Sequence, residues 1–316
     1  MSNPMDAMLR LIQNNTDFVL VGHTSPDGDA IGSCYGLAFA LHKLGKNITV
    51  VLEPYPEKYD LLPGRQFLYT GEPDKLNADV LIALDCADEK RLGPAQPLFN
   101  RAKQTACIDH HRSNTGFAMI NYIDPDASST SEMVFRLVER LTTVDGDIAA
   151  VIYAGIVTDT GGFKYNTTEK STLETVAKLM DTGINFTKIY NEVLHQHTFA
   201  AGKAMGVALQ NAGQLRAGRV VYSHITWEEL TATGADAFDL DGIVEYLLNT
   251  QGADISVFAY AKDAEETKVS FRSQEPDVGA VAVALGGGGH RLAAGCTIQA
   301  TAKEALAQAL ALLEKQ

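Results

Sequence analysis

The segment 22-GHTSPDGDAIGS-33 sets His23, Asp27 and Asp29 within seven residues of one another, directly after the apolar run 18-FVLV-21. An imidazole and two carboxylates so spaced can hold a divalent cation. Pro26 and Gly28 predict a tight turn that aims both carboxylates inward, Gly28 taking backbone angles that a β-carbon opposes. Alone, aspartate beside glycine is usually a turn former. Three later segments add weight: 84-LDCAD-88, 108-IDHH-111 and 157-VTDTGG-162 each end an apolar stretch on Asp or His. If these segments meet, His23, Asp27, Asp29, Asp85, His110 and Asp159 form one cluster, whose carboxylates repel strongly unless cations separate them. Two divalent ions about 3.5–4 Å apart, with one carboxylate bridging, suit that ligand set. Mixed imidazole and carboxylate donors favour Mn²⁺, or Co²⁺ or Fe²⁺, over Mg²⁺ with its preference for oxygen. The expected cofactors are two Mn²⁺, with Co²⁺ or Mg²⁺ as substitutes.

The elements that must position these groups alternate. Strands are predicted over 18–23, 47–53, 79–85 and 105–109, and a helix over 34–45 with Gly45 near its C-cap. An amphipathic helix opens on Ser/Thr capping chemistry within 126–141, and a buried helix over 147–159 delivers Asp159 at its end. The alternation implies an α/β fold whose parallel sheet is covered on both faces, with ligands gathering outside the carboxyl ends of the strands. Beyond about residue 210 the pattern changes to half-buried strands over 219–226, 254–263 and 267–273, with helices over 278–285 and 302–316. The expected organisation is a catalytic domain over 1–190, a linker over 191–210 and a smaller α/β substrate-binding domain over 211–316.

The totals narrow the function. A chain of 316 residues has room for two domains, and 46% apolar with 21% charged residues is ordinary for a globular protein. No apolar run approaches the roughly 20 residues a membrane span needs, and the N-terminus lacks the features of an export signal. Cys34, Cys86, Cys107 and Cys296 are isolated, which suits a reducing cytoplasm and small buried side chains rather than a zinc site. A net charge of −13 argues against a long track for duplex nucleic acid, but not against one small phosphate ester.

In the C-terminal part, four glycines before His290 can present backbone N–H groups to an anion. Arg272, within 270-SFRS-273, can grip a phosphate as a fork. A glycine run after an apolar helix can equally be a helix stop.

The run 109-DHH-111, with Asn114 close behind, resembles the signature of the DHH phosphoesterases. The HxxPDGDAxGS form over 23–33, Asp85 and 158-TDTGGF-163 match that family's other N-terminal motifs. At the far end, 286-GGGGHRLAAGC-296 resembles the glycine-rich motif of the accompanying C-terminal domain. The likeness covers nearly the whole chain in order, and length and layout are most similar to NrnA-type oligoribonucleases. It implies two α/β domains across a cleft, with His23 and Asp27 on one metal, Asp29, His110 and Asp159 on the other, and Asp85 bridging both. It implies that His111 contacts the scissile phosphate, and that Arg272, Ser273, Gly288, Gly289 and His290, with Asn114, bind substrate. A homodimer is a family-based expectation only.

The function expected is therefore hydrolysis of short oligoribonucleotides to mononucleotides, with action on adenosine 3′,5′-bisphosphate as a second activity. Metals would lower the pKa of a water for in-line attack at phosphorus, and the C-terminal domain would clamp the rest of the substrate. The alternatives are a phosphodiesterase for cyclic di-AMP or linear pApA and, from a different class, a nucleotide sensor without turnover. A RecJ-like exonuclease fits less well because the chain is acidic and has no extra nucleic-acid-binding domain. A family II pyrophosphatase fits less well because SFRS and GGGGH favour a nucleotide.

Overall fold

Asn3 and Pro4 start the first helix: the Asn3 side chain accepts the Met5 amide and proline presets φ, giving α1 (Pro4–Asn14). Strands and helices then alternate as β1 (Asp17–Val21), α2 (Gly28–Lys43), β2 (Asn47–Val51), β3 (Val80–Leu84), α3 (Gln96–Arg101), β4 (Gln104–Asp109) and β5 (Ile120–Ile123). Four helices follow: α4 (Thr130–Leu141), α5 (Gly146–Asp159), α6 (Lys170–Asp181) and α7 (Phe186–Leu194). The computed structural model describes residues 3–314, divided into one unit up to Gln196 and another from His197.

The first unit is built on an all-parallel sheet ordered β2-β1-β3-β4-β5. Along β1, Phe18 and Leu20 pack into the core shared with α2, whereas Val19 and Val21 pack on the opposite face with Leu92, Leu98 and Phe99. Both faces are covered, as near-continuous apolar strands require. The chain runs outward from β1 to β2 and then crosses to β3 on β1's other side, so the carboxyl ends of β1 and β3 flank a switch point. Open α/β sheets bind ligands there.

Helix α2 begins at Gly28, six residues before the predicted start, because Asp27 is its N-cap: Asp27 Oδ1 accepts the amides of Asp29 and Ala30 at 3.0 and 3.1 Å. Every residue from Gly28 to Leu41 is buried, as an apolar helix surrounded by structure must be. Gly28 was expected to supply special backbone angles; instead it supplies space. A β-carbon there would lie 2.2 Å from Thr158 Oγ1, and one on Gly32 would lie 2.5 Å from the Val151 carbonyl oxygen. On the facing helix, a β-carbon on Gly155 would lie 2.0 Å from Ser131 Oγ. Gly32 lets α2 and α5 pack backbone against backbone, while Gly28 makes room for Thr158 and Gly155 for Ser131 of α4. Strand β5 escaped the sequence reading because its four residues are short and only half-buried.

The second unit contains α8 (Phe199–Gln210), β6 (Gly213–Leu215), β7 (Val220–Ile225), α9 (Trp227–Thr233), α10 (Ile243–Leu248), β8 (Ile255–Ala261) and β9 (Glu266–Ser273). It ends with α11 (Gly279–Ala284), β10 (Gly288–His290), β11 (Ala293–Gln299) and α12 (Ala302–Leu313). Its mixed sheet is ordered β10-β11-β9-β8-β7-β6. Apolar side chains of α11 and α12 cover one face, and those of α8, α9 and α10 cover the β7 and β8 part of the other. Where the sequence sets aside 191–210 as a linker, the chain is helical over 199–210. The polyglycine stretch follows the end of α11 and runs into edge strand β10. No helix among the described residues is long and apolar enough to cross a membrane.

Overpacking a filled core costs about 1–3 kcal/mol. Gly32→Ala is expected to lose that much by chemical denaturation, because the colliding atom is backbone. Gly146→Ala, whose added carbon meets nothing within 4 Å, is expected to stay within about 0.5 kcal/mol of wild type.

Candidate active site

Val21 of β1 pairs with Ala83 of β3, and Leu84 of β3 with Ile108 of β4, so the residues just beyond these three strands stand side by side. β1 leads to His23, β3 to Asp85, and β4 ends in Asp109 followed by His110 and His111. Asp159 arrives differently, from the last residue of α5 rather than from a strand. Asp29 sits in the first turn of α2, held against α5 by the glycine contacts above.

Three groups of donor atoms result, each lying within 4.8 Å of one another: His23 with Asp27 and Asp85, Asp29 with His110 and Asp159, and Asp85 with His110 and His111. His23 Nε2 is 3.6 Å from Asp27 Oδ1 and 3.4 Å from Asp85 Oδ2. His110 Nε2 is 3.4 Å from Asp159 Oδ2 and 3.7 Å from Asp85 Oδ1. Asp85 belongs to two of the groups and is 3% exposed, between the other ligands. Its backbone is left-handed, with φ of 61°, a conformation that Asp and Asn tolerate better than most residues.

The electrostatics of the cluster call for cations. Burial first, then the charges of Asp85 and Asp159, pushes the Asp29 carboxyl well above the ordinary carboxylate range. Burial, Asp85 and Asp27 push Asp159 up to about 8. For His23 burial works against the charged form, but hydrogen bonding to Asp27 and Asp85 outweighs it and pushes the imidazole up to about 10. The C-terminus of α5 adds the negative end of a helix dipole beside Asp159. Protons on these groups thus occupy the place of metal charge, and divalent cations would displace them. Imidazole and carboxylate donors gathered in this way fit divalent metals of borderline hardness.

Supporting contacts that sequence reasoning missed hold this arrangement. Asp29 accepts the backbone amides of Thr130 at 2.6 Å and Ser131 at 2.8 Å, so a carboxylate from α2 occupies the anion site at the N-terminus of α4. The Thr130 hydroxyl donates to Asp85 at 2.9 Å. The Ser/Thr run signalled a helix start but could not reveal whose carboxylate would sit on it. Asp109 is fully buried: Oδ1 lies 2.7 Å from His111 Nδ1, and Oδ2 accepts from Asn114 Nδ2 at 2.6 Å. That contact is the leading reason the His111 imidazole is raised. Asp109 was visible within the DHH motif, and an acidic residue two positions before a histidine was the available signal. Asn114, expected at the substrate, also donates to the Cys86 carbonyl at 3.0 Å and accepts the Gly116 amide at 2.7 Å, so its amide is committed to the loop. Arg91 Nη2 lies 2.9 Å from His23 Nδ1.

In the second unit His290 pairs with Ala293, and Ala293 with Arg272, placing His290 and Arg272 on one sheet face across three strands. Lys268 and Ser270 continue that face along β9, on the less buried side of its alternation. Arg272 Nε is paired with Glu245 at 2.7 Å. Ser273, expected with them, points to the buried face and donates to the Pro276 carbonyl, because successive strand residues alternate sides. Gly288 and Gly289 are exposed in β10, and Gly289 has φ of 136° with no room for a β-carbon beside Ala294.

Comparison with known proteins gives the same outline. The DHH family N-terminal domain matches residues 17–156, and the DHHA1 domain matches residues 217–316. The chain is 32% identical to the bifunctional oligoribonuclease and PAP phosphatase NrnA of Thermus thermophilus, over 88% of this chain and 82% of that protein. It is 28% identical to the Bacillus subtilis protein of the same name, over 92% of each. An exopolyphosphatase-related protein from Bacteroides fragilis, known as a crystal structure, superposes with a TM-score of 0.92 at 30% identity, covering 99% of this chain and 96% of that one. With both domains matched in order, the chain belongs to the DHH family of phosphoesterases.

Proposed function

We propose that this enzyme is a two-cation, Mn²⁺-dependent phosphoesterase of the cytoplasm that degrades very short oligoribonucleotides to mononucleotides and converts adenosine 3′,5′-bisphosphate to AMP. The observation that carries the reading is the likeness, across both units, to two relatives named for oligoribonuclease and PAP phosphatase activity. The clustered donors at the switch point support it, since no ordinary core places Asp29, Asp85 and Asp159 together.

In this reading His23 and Asp27 hold one cation, Asp29, His110 and Asp159 hold the other, and Asp85 serves both. When bound, such cations supply Lewis-acid activation of the phosphate ester and of water near neutral pH. The remaining work falls to the chain. Asp109 accepts the Nδ1–H of His111, orients the ring and favours its imidazolium form, whose Nε2–H can donate to a phosphoryl oxygen. His111 is 41% exposed, the most open of the three histidines in the cluster, as a substrate contact must be. Arg272, His290 and the exposed backbone of Gly288 and Gly289 bind a phosphate of the nucleotide, Arg272 giving up Glu245 to do so.

A turnover panel at fixed Mn²⁺ tests this with di-, tri- and pentaribonucleotides, adenosine 3′,5′-bisphosphate, cyclic di-AMP, linear pApA and pyrophosphate. Mononucleotides and AMP are expected from the first four, with nothing after EDTA; nucleotide binding without product sinks the reading. Asp85→Asn, which suits the left-handed backbone, is expected to fold and to lose more activity than the roughly 10–100-fold typical of an outer-shell change. Arg272→Ala is expected to raise KM for nucleotides about tenfold or more while kcat changes little. Mn²⁺ at about 100 times its Kd is expected to stabilise the protein by about 2.7 kcal/mol, seen as a higher melting temperature that Asp85→Asn diminishes.

A further inference from the structure

His23 Nδ1 lies 2.9 Å from the Thr24 carbonyl oxygen and also 2.9 Å from Arg91 Nη2. A carbonyl only accepts and a guanidinium only donates, so one ring nitrogen cannot satisfy both together. Nε2 is the nitrogen that faces Asp27 and Asp85, so a ring that ligates a cation there carries its proton on Nδ1 and donates it to Thr24. A doubly protonated ring donates to Thr24 as well, so in neither form does Arg91 find an acceptor on His23.

Arg91 is also placed to use that freedom. Its carbonyl accepts the Thr24 amide at 2.8 Å and its own amide donates to Asp88, which anchors the base of the side chain beside the cluster. Its side chain is exposed and forms no ion pair among the described residues, whereas Arg101, Arg112, Arg136 and Arg219 are each paired with a carboxylate. An anchored, unneutralised guanidinium next to a phosphoester site matches the fork geometry of a phosphate. We propose that Arg91 is a phosphate-contacting residue of the first unit, its guanidinium, set beside His23 without an acceptor there, binding a phosphoryl oxygen of the nucleotide. The inference rests on the nucleotide-hydrolase reading above and adds a residue to it.

Two affinities separate this role from a merely structural one. Calorimetry on the full chain would measure Mn²⁺ binding without nucleotide, and AMP binding to the Mn²⁺-loaded protein, for wild type, Arg91→Ala and Arg91→Lys. Arg91→Ala is expected to weaken AMP binding by about 10–100-fold, the worth of one charge-assisted hydrogen bond. Its Mn²⁺ affinity should be unchanged, because Arg91 has no hydrogen bond to a His23 ring that donates to Thr24, and Arg91→Lys should recover part of the AMP affinity. Unchanged AMP affinity in Arg91→Ala overturns the proposal, and so does a parallel loss of Mn²⁺ affinity, which would make Arg91 a support for His23. A wild type that binds AMP through Arg91 yet hydrolyses none of the panel substrates upholds this inference and overturns only the enzymatic reading.

Discussion

Repulsion among Asp29, Asp85 and Asp159 is the constraint around which the first unit is organised. Each carboxylate has a different local remedy. Asp29 takes two amides from the start of α4, where a helix terminus favours negative charge. Asp85 takes the Thr130 hydroxyl and faces His23, His110 and His111. Asp159 has the poorest position, at the carbonyl end of α5, and its carboxyl is pushed up to about 8 by burial together with Asp85 and Asp27. Helix ends and hydroxyls reduce the repulsion without removing it. The residual need for positive charge is what makes the cluster a place for divalent cations.

Bringing Asp29 and Asp159 into one group requires two helices to approach more closely than side chains normally allow. Interhelical distances of roughly 8–10 Å reflect the side chains at the contact, and here Gly28, Gly32 and Gly155 remove them. The added carbon on Gly155 would also lie 3.1 Å from Asp29 Oδ1. Packing and chemistry are thus linked at the same atoms: the contact that seats the central helix also sets the spacing of its ligand. Glu132 makes a similar link, being buried and bonded to Ser128, Thr172 and Arg136 beneath the loop whose Ala127 carbonyl meets His110.

The second unit meets a different physical problem, presenting positive charge on an acidic protein. It does so on one sheet face, where strand register aligns His290 with Arg272, alternation adds Lys268, and Glu245 of α10 pairs with Arg272. Arg272 is held by Glu245, and Arg91 by the hydrogen bonds of its own backbone to Thr24 and Asp88. Neither guanidinium is locked in a buried ion pair, which keeps both charges near the surface.

The sequence by itself determined the class of fold, the doubly covered sheet and which His and Asp side chains gather beyond the strand ends. Those depend on short-range regularities: apolar runs of strand length, helix periodicity, and Asp or His at the ends of apolar stretches. It also determined the helix origin of Asp159, since the small and β-branched run over 147–159 is too long for one strand. Tertiary structure decided what depends on through-space neighbours. It set the reason for Gly28, which a missing collision partner in the sequence cannot reveal, and the capping of α4 by Asp29, which joins residues about a hundred positions apart. It turned Ser273 away from Arg272's face by strand alternation, and Asn114 inward onto Asp109. Local sequence sets which groups are offered, whereas packing sets which of them meet, because hydrogen-bond and charge partners are chosen by distance in space and not by separation along the chain.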